Sequence, residues 1–502
     1  MNPSRRIASR LTHLRRLSAV AEAPKPAAAA PPPEARPVRI YRRLSPLAGF
    51  GGSVPKTLNE YIMEGRKLSK LDLVRCAKEL RKYRRYEHAL EVMQWMEKRN
   101  INFAYADHAL NLDLISKVKG VDAAENYFNS LPESAKNLVT YGTLLNCYCK
   151  EANEDKALAL FNKMDELNFS STRLAFGNLM TLYLRLGKPE MVPSLVAKMK
   201  ERKISLDSYA YVLWMQSYAS LDDIEGVEMV WQERLNDSSQ CDDWTVYSNL
   251  AAIYVKAGLF EKAESALRNL ETFMKPQSRE PYHFLISLYA GTSNLKEVNR
   301  VWESLKVAFK MPTNFSYLIM LQALHRLKDV EGLLKCFKEW ESGCCSYDER
   351  LAKVAVSACL EHDMLEEASR LFDEAIRRSN RPFFKGREVF MLYFLKKGEV
   401  DLAMEHLAAV IARAEGEGWR PDAVITDAFL KHFEETKDTD SAEKFYELLK
   451  NEEGVKVIAS KVLLKTYIAA GRTAPEIREM LERDDIIMDD ELYNLCEKVC
   501  AS

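Results

Sequence analysis

The sequence predicts an all-α solenoid of helix-turn-helix repeats, each about 35 residues long. An aromatic residue returns every 35 or 36 positions through the middle of the chain: Tyr141, Phe176, Tyr211, Tyr247, Tyr282 and Tyr317. A second aromatic series has the same period and lies seven residues later: Tyr148, Tyr183, Tyr218, Tyr254 and Tyr289. A fixed period of this length indicates stacked units, because one such unit has too small a core to be stable without its neighbours.

Each period contains two amphipathic helices, in which apolar residues recur at i, i+3, i+4 and i+7. These residues are Tyr141, Leu144, Leu145 and Tyr148 in the first helix, and Ala157, Leu160, Phe161 and Met164 in the second. Glycine recurs between the helices, where the end of a helix favours a left-handed residue. The glycines are Gly187, Gly258, Gly398 and Gly471. The pattern therefore predicts one helical hairpin in every period.

The same register extends in both directions along the chain. It predicts about twelve hairpins over residues 70–490, which are less regular after 349. Their first helices should begin near residues 70, 105, 138, 173, 208, 244, 279, 314, 349, 384, 423 and 457. The unit from 384 carries roughly four extra residues around Glu415–Gly418. Residues 38–69 lead into the array, and in 491–502 a closing helix from Glu491 to Val499 should cap it.

Residues 1–37 are predicted to be a mitochondrial transit peptide followed by a disordered Ala/Pro linker. The first twenty-one residues contain five arginines, and no acid occurs before Glu22. Ile7, Leu11 and Leu14 share one face of a predicted helix. An Arg-rich, acid-free, amphipathic segment is typical of organelle targeting, and its low serine content favours the mitochondrion. A chloroplast location and a merely basic tail are the alternatives.

Composition and charge limit the partners of the chain. No run approaches eighteen apolar residues, so no insertion into a membrane is predicted. The chain has a net charge of −1, and residues 1–36 hold seven basic and two acidic residues, so the remainder carries −6. Sequence-independent binding of nucleic acids relies on basic residues that neutralise phosphates, and this charge argues against it.

Two segments resemble the helices of the pentatricopeptide repeat. Val139–Lys150 (VTYGTLLNCYCK) is similar to its first helix, and Leu365–Phe372 (LEEASRLF) is similar to its second. The period favours this family over the related tetratricopeptide repeat, which has a period of about 34 residues. The resemblance covers about 70–490 and implies a right-handed superhelix of the P-type branch, whose members are RNA-binding proteins of plant organelles.

In the family that this chain resembles, each repeat contacts one RNA base. The residue after the first-helix aromatic and the residue that closes the repeat contact the base edge. The resemblance implies these pairs: Gly142 with Thr172, Gly177 with Asp207, Val212 with Asp243, Ser248 with Ser278, His283 with Thr313, and Leu318 with Asp348. The residue two before the aromatic packs against the base faces. These residues are Val139, Leu174, Tyr209, Thr245, Glu280 and Phe315.

The base-edge positions depart from the family pattern of Asn, Thr or Ser. Four of them offer no donor or acceptor for a base: Gly142, Gly177, Val212 and Leu318. The pair Ser248 with Ser278 retains hydrogen-bonding groups, and so does His283 with Thr313. After residue 349 the equivalent positions are charged: Lys353, Glu388, Asp427 and Lys461. We therefore predict contact with structured RNA or a short single-stranded site, or binding through protein neighbours, rather than recognition of a long sequence base by base.

The periodic aromatics are predicted to be core residues, because they lie on the apolar stripe. Tyr209 is the exception, since its register places it on the concave face. A basic cluster in the first predicted hairpin is the candidate for phosphate contact: Arg75, Lys78, Arg81, Lys82 and Arg85. The last four share one face of a continuous helix. A solvated surface beside the linker is the alternative interpretation of this cluster.

The sequence contains no recognisable catalytic, metal or cofactor motif. Its ten cysteines form no Cys-x-x-Cys pair, and its eight histidines form no His-Glu-x-x-His motif. We therefore predict a protein without enzymatic activity or cofactor. The first hypothesis is a mitochondrial RNA-binding protein that acts in RNA processing, stability or translation. The second is a structural scaffold held by protein partners, such as a protein associated with the mitochondrial ribosome.

Overall fold

The computed structural model describes residues 40–47, 52–169, 172–237, 243–379, 382–414, 419–451 and 455–500. In these ranges the chain forms 27 α-helices and no β-strand. The predicted transit peptide, the linker and Glu415–Gly418 lie outside the described residues. The chain divides into two compact units, with the boundary after Leu259.

The first unit contains thirteen helices. They are α1 (Tyr41–Leu44), α2 (Val54–Met63), α3 (Lys70–Lys82), α4 (Tyr86–Lys98), α5 (Tyr105–Lys119), α6 (Val121–Ser130), α7 (Leu138–Lys150), α8 (Glu154–Glu166), α9 (Arg173–Leu186), α10 (Val192–Glu201), α11 (Ser208–Ser220), α12 (Ile224–Asn236) and α13 (Trp244–Lys256). From α3 onward, each odd-numbered helix is the first helix of a repeat. The first helices α3, α5, α7, α9, α11 and α13 pack against one another in chain order, and each of the first five packs against the helix that follows it.

The second unit contains fourteen helices. They are α14 (Phe260–Phe273), α15 (Glu280–Gly291), α16 (Leu295–Ala308), α17 (Asn314–Arg326), α18 (Val330–Gly343), α19 (Glu349–Glu361), α20 (Leu365–Arg378), α21 (Phe384–Lys397), α22 (Val400–Ala414), α23 (Ala423–Thr436), α24 (Thr439–Leu449), α25 (Lys456–Ala470), α26 (Glu476–Arg483) and α27 (Asp490–Cys500). The first helices α15, α17, α19, α21, α23 and α25 again pack in chain order, and α27 covers α25.

The first helices begin within one residue of the positions that the aromatic register predicts. The predicted fold class, an all-α array of helix-turn-helix repeats, is therefore confirmed. No helix in the described ranges is both long enough and apolar enough to cross a membrane.

The two aromatic series lie in the core, as predicted, except that Tyr218 is half-buried. Tyr141, Phe176, Tyr211, Tyr282 and Tyr289 are all buried. The second series also links neighbouring repeats, because two of its hydroxyl groups donate to carboxylates of the preceding repeat. In this way Tyr254 bonds to Glu228 at 2.9 Å, and Tyr289 bonds to Glu271 at 3.0 Å. Burial, followed by the nearby carboxylate, raises the pKa of both tyrosines. The tyrosines of this series thus carry a polar contact as well as apolar area.

The turn between the two helices of a repeat contains a left-handed residue. Gly187, Gly258, Gly398 and Gly471 occupy this position with positive φ, as predicted. Other repeats place a larger residue there, as at Ala152 with φ of 56°. Further residues with positive φ at this position are Asp222, Ser293, Lys328, Asp363 and Lys437. The geometry of the turn is thus retained even where glycine is missing, at a cost of roughly 1 kcal/mol for each such residue.

Candidate nucleic-acid interface

The predicted base-packing positions form a row near the N-terminal ends of the first helices. Val139, Leu174 and Phe315 have exposed fractions of 51%, 63% and 46%, which are large for apolar side chains. Tyr209 and Thr245 are half-buried, and Glu280 is exposed. In the first unit Val139 and Leu174 occupy the same place in the successive first helices α7 and α9, and they provide a surface against which flat apolar groups, including nucleobases, can pack.

The residues that close each repeat cap the next first helix. The backbone N–H of Ala210 donates to Oδ1 of Asp207 at 2.9 Å, and that of Ser316 donates to Oγ1 of Thr313 at 3.2 Å. The other capping residues are Thr172, Asp243 and Asp348. Ser278 differs, because α15 begins after Arg279 without a side-chain cap. Since an N-cap accepts backbone N–H groups, part of the acceptor capacity of these residues is already used inside the protein.

Asp348 has a second partner. Its carboxylate forms an ion pair with Arg350, with Nη2 and Oδ2 2.6 Å apart. The side-chain hydrogen bond from the guanidinium holds the pKa of Asp348 below its usual value. The predicted base-edge pair of this repeat therefore combines an apolar Leu318 with a carboxylate that is already neutralised.

The two polar base-edge residues are also occupied. The Ser248 hydroxyl donates to the carbonyl oxygen of Thr245 at 2.8 Å, inside its own helix. His283 is buried, and its Nε2 lies 2.9 Å from Oγ of Ser316. Phe315 contacts the imidazole edge to face, with ring centroids 5.1 Å apart. Burial lowers the pKa of His283 to about 4. The hydrogen-bonding capacity that the sequence predicted at these positions is thus largely used within the protein.

The two glycine positions differ from each other. At Gly177 the ring of Tyr209 fills the space, with Cε1 3.4 Å from the place where a β-carbon would be. The Tyr209 hydroxyl lies 3.0 Å from Oγ1 of Thr181, one turn further along α9. At Gly142 no atom lies within 4 Å of the equivalent place. The repeat that begins at Leu138 is therefore open beside its base-edge position, whereas the next repeat is filled.

The residues of the predicted phosphate cluster do not all lie on one helix. Helix α3 ends at Lys82, and Arg85 lies beyond it at the N-cap of α4. Arg81 is held by Asp113, with Nε and Oδ2 2.8 Å apart. Arg75, Lys78 and Lys82 are exposed. The prediction placed four residues on one face because it assumed that the helix continues through the turn.

A second basic row was missed in the sequence. In most repeats before residue 349 it lies eight residues after the base-edge position, near the C-terminal ends of the first helices. Its members in those repeats are Lys82, Lys117, Lys150, Arg185, Lys256 and Arg326. Within the described ranges Lys82, Lys150 and Arg185 are exposed and have no ion pair, whereas Lys117 pairs with Asp113. The 35-residue register contains this signal, since the row has the same period as the aromatics.

Many other cations are paired with acids of a neighbouring repeat. These contacts include Lys156 with Glu125 at 2.7 Å, Lys188 with Glu154 at 2.5 Å, and Arg300 with Glu271 at 2.6 Å. They link neighbouring repeats on the side of the second helices. Exposed pairs of this kind contribute little stability, yet they reduce the number of cations available to phosphates.

The acidic base-edge equivalents after 349 do not behave alike. Glu388 is buried, and its carboxylate accepts from Lys385 at 2.7 Å and from the Trp419 indole at 3.1 Å. Asp427 is exposed. The Glu388 carboxylate is therefore not available to a ligand, because a lysine one turn earlier neutralises it inside the fold.

Within the described ranges no three His, Cys, Asp or Glu side chains are grouped so that they could hold a metal ion. Cys496 and Cys500 lie close together, with their sulfur atoms 3.6 Å apart, and Cys500 also contacts the carbonyl oxygen of Ala474.

Models of the PPR repeat match residues 135–165, 175–204 and 245–272. A mitochondrial pentatricopeptide repeat-containing protein of Arabidopsis thaliana is 49% identical over 464 residues, which are 92% of this chain and 86% of that protein. A second such mitochondrial protein of Arabidopsis is 45% identical over 96% of both chains. The large ribosomal subunit protein mL101 (rPPR4) of Arabidopsis is 37% identical over 92% of this chain and 94% of that protein.

Solved structures show the same fold. The crystal structure of the pentatricopeptide repeat protein PPR10 from maize superimposes with a TM-score of 0.56, at 15% identity, over 99% of this chain and 69% of PPR10. PPR10 in complex with an 18-nucleotide psaJ RNA element gives a TM-score of 0.50 over 90% of this chain and 72% of PPR10. The mitochondrial designation of two relatives that span nearly the whole chain confirms the predicted localisation. With identities of 45% and 49% over that length, the chain belongs to the pentatricopeptide-repeat family.

Proposed function

We infer that this chain binds organellar RNA in the mitochondrion and acts in RNA processing, stability or translation, without a catalytic step. The observation that carries the proposal is the pairing of two rows on the same helices. An exposed apolar residue lies at the start of a first helix, as at Val139 and Leu174, and an unpaired cation lies at its end, as at Lys150 and Arg185. PPR10, which shares the fold, has been crystallised with RNA.

The two rows suit the two chemistries of a nucleic-acid strand. Bases pack on apolar and aromatic side chains, and phosphates bind basic ones. The cations at Lys150 and Arg185 lie at the C-terminal ends of α7 and α9, where the helix dipole also favours positive charge. In the described ranges only Lys82, Lys150 and Arg185 of the basic row before residue 349 are exposed and unpaired, so we propose a modest electrostatic contribution and a short bound segment rather than a long one.

Binding of fluorescently labelled mitochondrial RNA fragments to the full-length chain tests this function. We expect the combined variant Lys150→Ala and Arg185→Ala to weaken binding by about tenfold, since each phosphate contact contributes to affinity. Lys156→Ala is the matched control, because Lys156 lies on a second helix and is paired with Glu125. Absence of RNA binding by the unmodified chain at low salt contradicts the proposal.

A structural role in a ribosome is the second candidate function. The filled space at Gly177 and the internal hydrogen bond of Ser248 leave these repeats without a free group at the base-edge position. A relative that is 37% identical is a large ribosomal subunit protein. Co-sedimentation of the tagged chain with mitochondrial ribosomal subunits at high salt, together with no affinity for free RNA, supports this alternative.

A further inference from the structure

A third row of side chains lies between the base-edge row and the basic row. One helical turn after the base-edge position, six first helices carry an uncharged polar side chain. These side chains are Asn146, Thr181, Gln216, Ser287, Gln322 and Ser357. Three of them are carboxamides, and they occur in the repeats whose base-edge residues are Gly142, Val212 and Leu318. The carboxamides therefore accompany three of the four positions that lack a polar group.

The carboxamides are accessible. Asn146, Gln216 and Gln322 are half-buried on the first helices α7, α11 and α17. Within the described ranges the side chains of Asn146 and Gln322 make no hydrogen bond. A carboxamide that is partly exposed and unpaired offers both a donor and an acceptor to a ligand.

Gln216 is held in position by the next repeat. Its Nε2 donates to Oδ1 of Asn249 at 2.9 Å, and Nδ2 of Asn249 donates to the carbonyl oxygen of Thr245 at 2.8 Å. This chain of bonds orients the Gln216 amide and leaves its Oε1 as an acceptor. Side chains that are oriented before binding lose less entropy when a ligand arrives.

The repeat that begins at Arg173 has an unpaired amide at the place that corresponds to Asn249. Asn178 occupies in its repeat the position that Asn249 occupies two repeats later. The Asn178 Nδ2 atom is buried and has no hydrogen-bond partner in the described ranges. A buried amide donor without a partner is costly in a free protein, and an acceptor on a ligand would remove that cost. In the preceding repeat Gly142 leaves open space, because nothing outside the backbone of its own helix lies within 4 Å of its absent β-carbon.

In the repeat that begins at Arg173, the residue of the third row is already bonded within the protein. Thr181 donates to the Gly177 carbonyl oxygen at 2.8 Å and also contacts the Tyr209 hydroxyl. This residue has no free donor for a base. The repeats from Leu138 and Ser208 are thus equipped for polar contact, and the one between them offers the face of an aromatic ring instead.

We propose that base-edge recognition in this protein has moved one helical turn along the first helices, to Asn146, Gln216 and Gln322. The proposal rests on the RNA-binding function inferred above and adds the residues that determine sequence preference. The edges of unpaired bases present both donors and acceptors, which suits a carboxamide. A small or apolar residue at the usual position lets the base approach the helix closely enough for this contact.

Selection from a pool of random-sequence RNA by the full-length chain tests the proposal. The unmodified chain is expected to enrich RNAs with a preferred base at a few positions. Gln216→Met and Asn146→Leu keep the size of each side chain but remove its hydrogen bonds, so each should erase the preference at one position. We expect the affinity for the enriched RNA to fall by about tenfold, because one good base contact contributes about this much. Lys156→Ala, on the second helix α8, is the control and should leave the enriched sequence unchanged.

A conservative variant keeps the test valid if a substitution disturbs folding. Gln216→Glu retains the size and one acceptor, and it should change the preferred base rather than abolish binding. Enriched sequences that are the same for the unmodified chain and for all three variants, or a chain that binds RNA without any preference, overturn the proposal while the RNA-binding function stands. A chain that binds no RNA overturns both.

Discussion

The aromatic ring of Tyr209 lies against the backbone of Gly177, with Cε1 3.4 Å from the place of a missing β-carbon. The two residues belong to neighbouring first helices, α9 and α11. The Tyr209 hydroxyl also contacts Thr181. One side chain therefore closes the space beside a base-edge position and exposes part of an aromatic face in its place.

Tyr209→Ala should weaken RNA binding more than Tyr209→Phe, which removes only the hydroxyl. Stacking of a base on an aromatic ring contributes about 1–3 kcal/mol, which corresponds to a loss of affinity between about fivefold and 150-fold. Tyr209→Phe keeps the ring and removes only the contact with Thr181, so its affinity should stay within about twofold. Fluorescence anisotropy with one labelled RNA measures both variants. Equal affinities for Tyr209→Ala and the unmodified chain contradict a packing role.

The salt dependence of RNA binding should be shallow. In the repeats before residue 349, three exposed cations of the basic row are unpaired in the described ranges: Lys82, Lys150 and Arg185. For a single strand, each phosphate contact contributes about −0.7 to the slope of log K against log salt, so about −2 is expected. Removing Lys150 and Arg185 together should leave about −0.7. Titrations across a salt series measure the slope, and a value steeper than about −4 contradicts the assignment of phosphate contacts to these three residues.

Stability should respond in opposite directions at two glycines. Gly142 lies inside helix α7 with free space beside it, so Gly142→Ala should stabilise the protein by about 0.5–1 kcal/mol. Gly187 has φ of +72° at the end of α9, so Gly187→Ala should destabilise it by about 1 kcal/mol. Neither new methyl group meets an atom within 4 Å. Urea unfolding followed by circular dichroism measures both, and shifts of the same sign contradict the backbone argument.

Protonation of His283 should destabilise the protein in mild acid. Burial lowers its pKa to about 4, whereas an unfolded chain has a histidine pKa of about 6.5. Between these values the unfolded state binds more protons, so stability is complete above about pH 6.5 and is lost as the pH falls towards 4. The loss should reach up to about 3 kcal/mol.

His283→Asn removes this titration while keeping a side chain that can bond to Ser316. The free energy of unfolding should then depend less on pH between pH 6.5 and 4, because the contribution of the His283 titration is absent. The control is His362→Asn, since His362 is exposed at the turn after α19. An unchanged slope in His283→Asn shows that other groups cause the acid sensitivity.

The effects of substituting Lys385 and Glu388 on the free energy of unfolding should not be additive. The Glu388 carboxylate accepts hydrogen bonds from Lys385 and from the Trp419 indole. Lys385→Ala removes the first of these and leaves the bond from Trp419. A buried carboxylate that loses its cation is costly, and we expect about 1–2 kcal/mol because Lys385 itself is half-exposed. Glu388→Gln in the same chain should restore most of the loss. Additive effects of the two substitutions, measured by urea unfolding, contradict the coupling.

The positions of the first helices followed from the sequence. One aromatic in each period must enter the core, as Tyr211 does, and the helical repeat then places every other apolar residue around it. The basic row that includes Lys150 and Arg185 was present in the same register and could have been found in this way. Periodic burial is a property of each unit, so the sequence by itself determined the fold class and the register of the repeats.

The state of each candidate site residue was decided by tertiary structure. Gly177 is filled because Tyr209 comes from the next repeat, Arg81 is neutralised by Asp113 of the next repeat, and His283 contacts Ser316 of the next repeat. Such contacts depend on the distance and angle between neighbouring first helices. No local pattern of residues contains that geometry, because it results from the packing of side chains more than thirty positions apart.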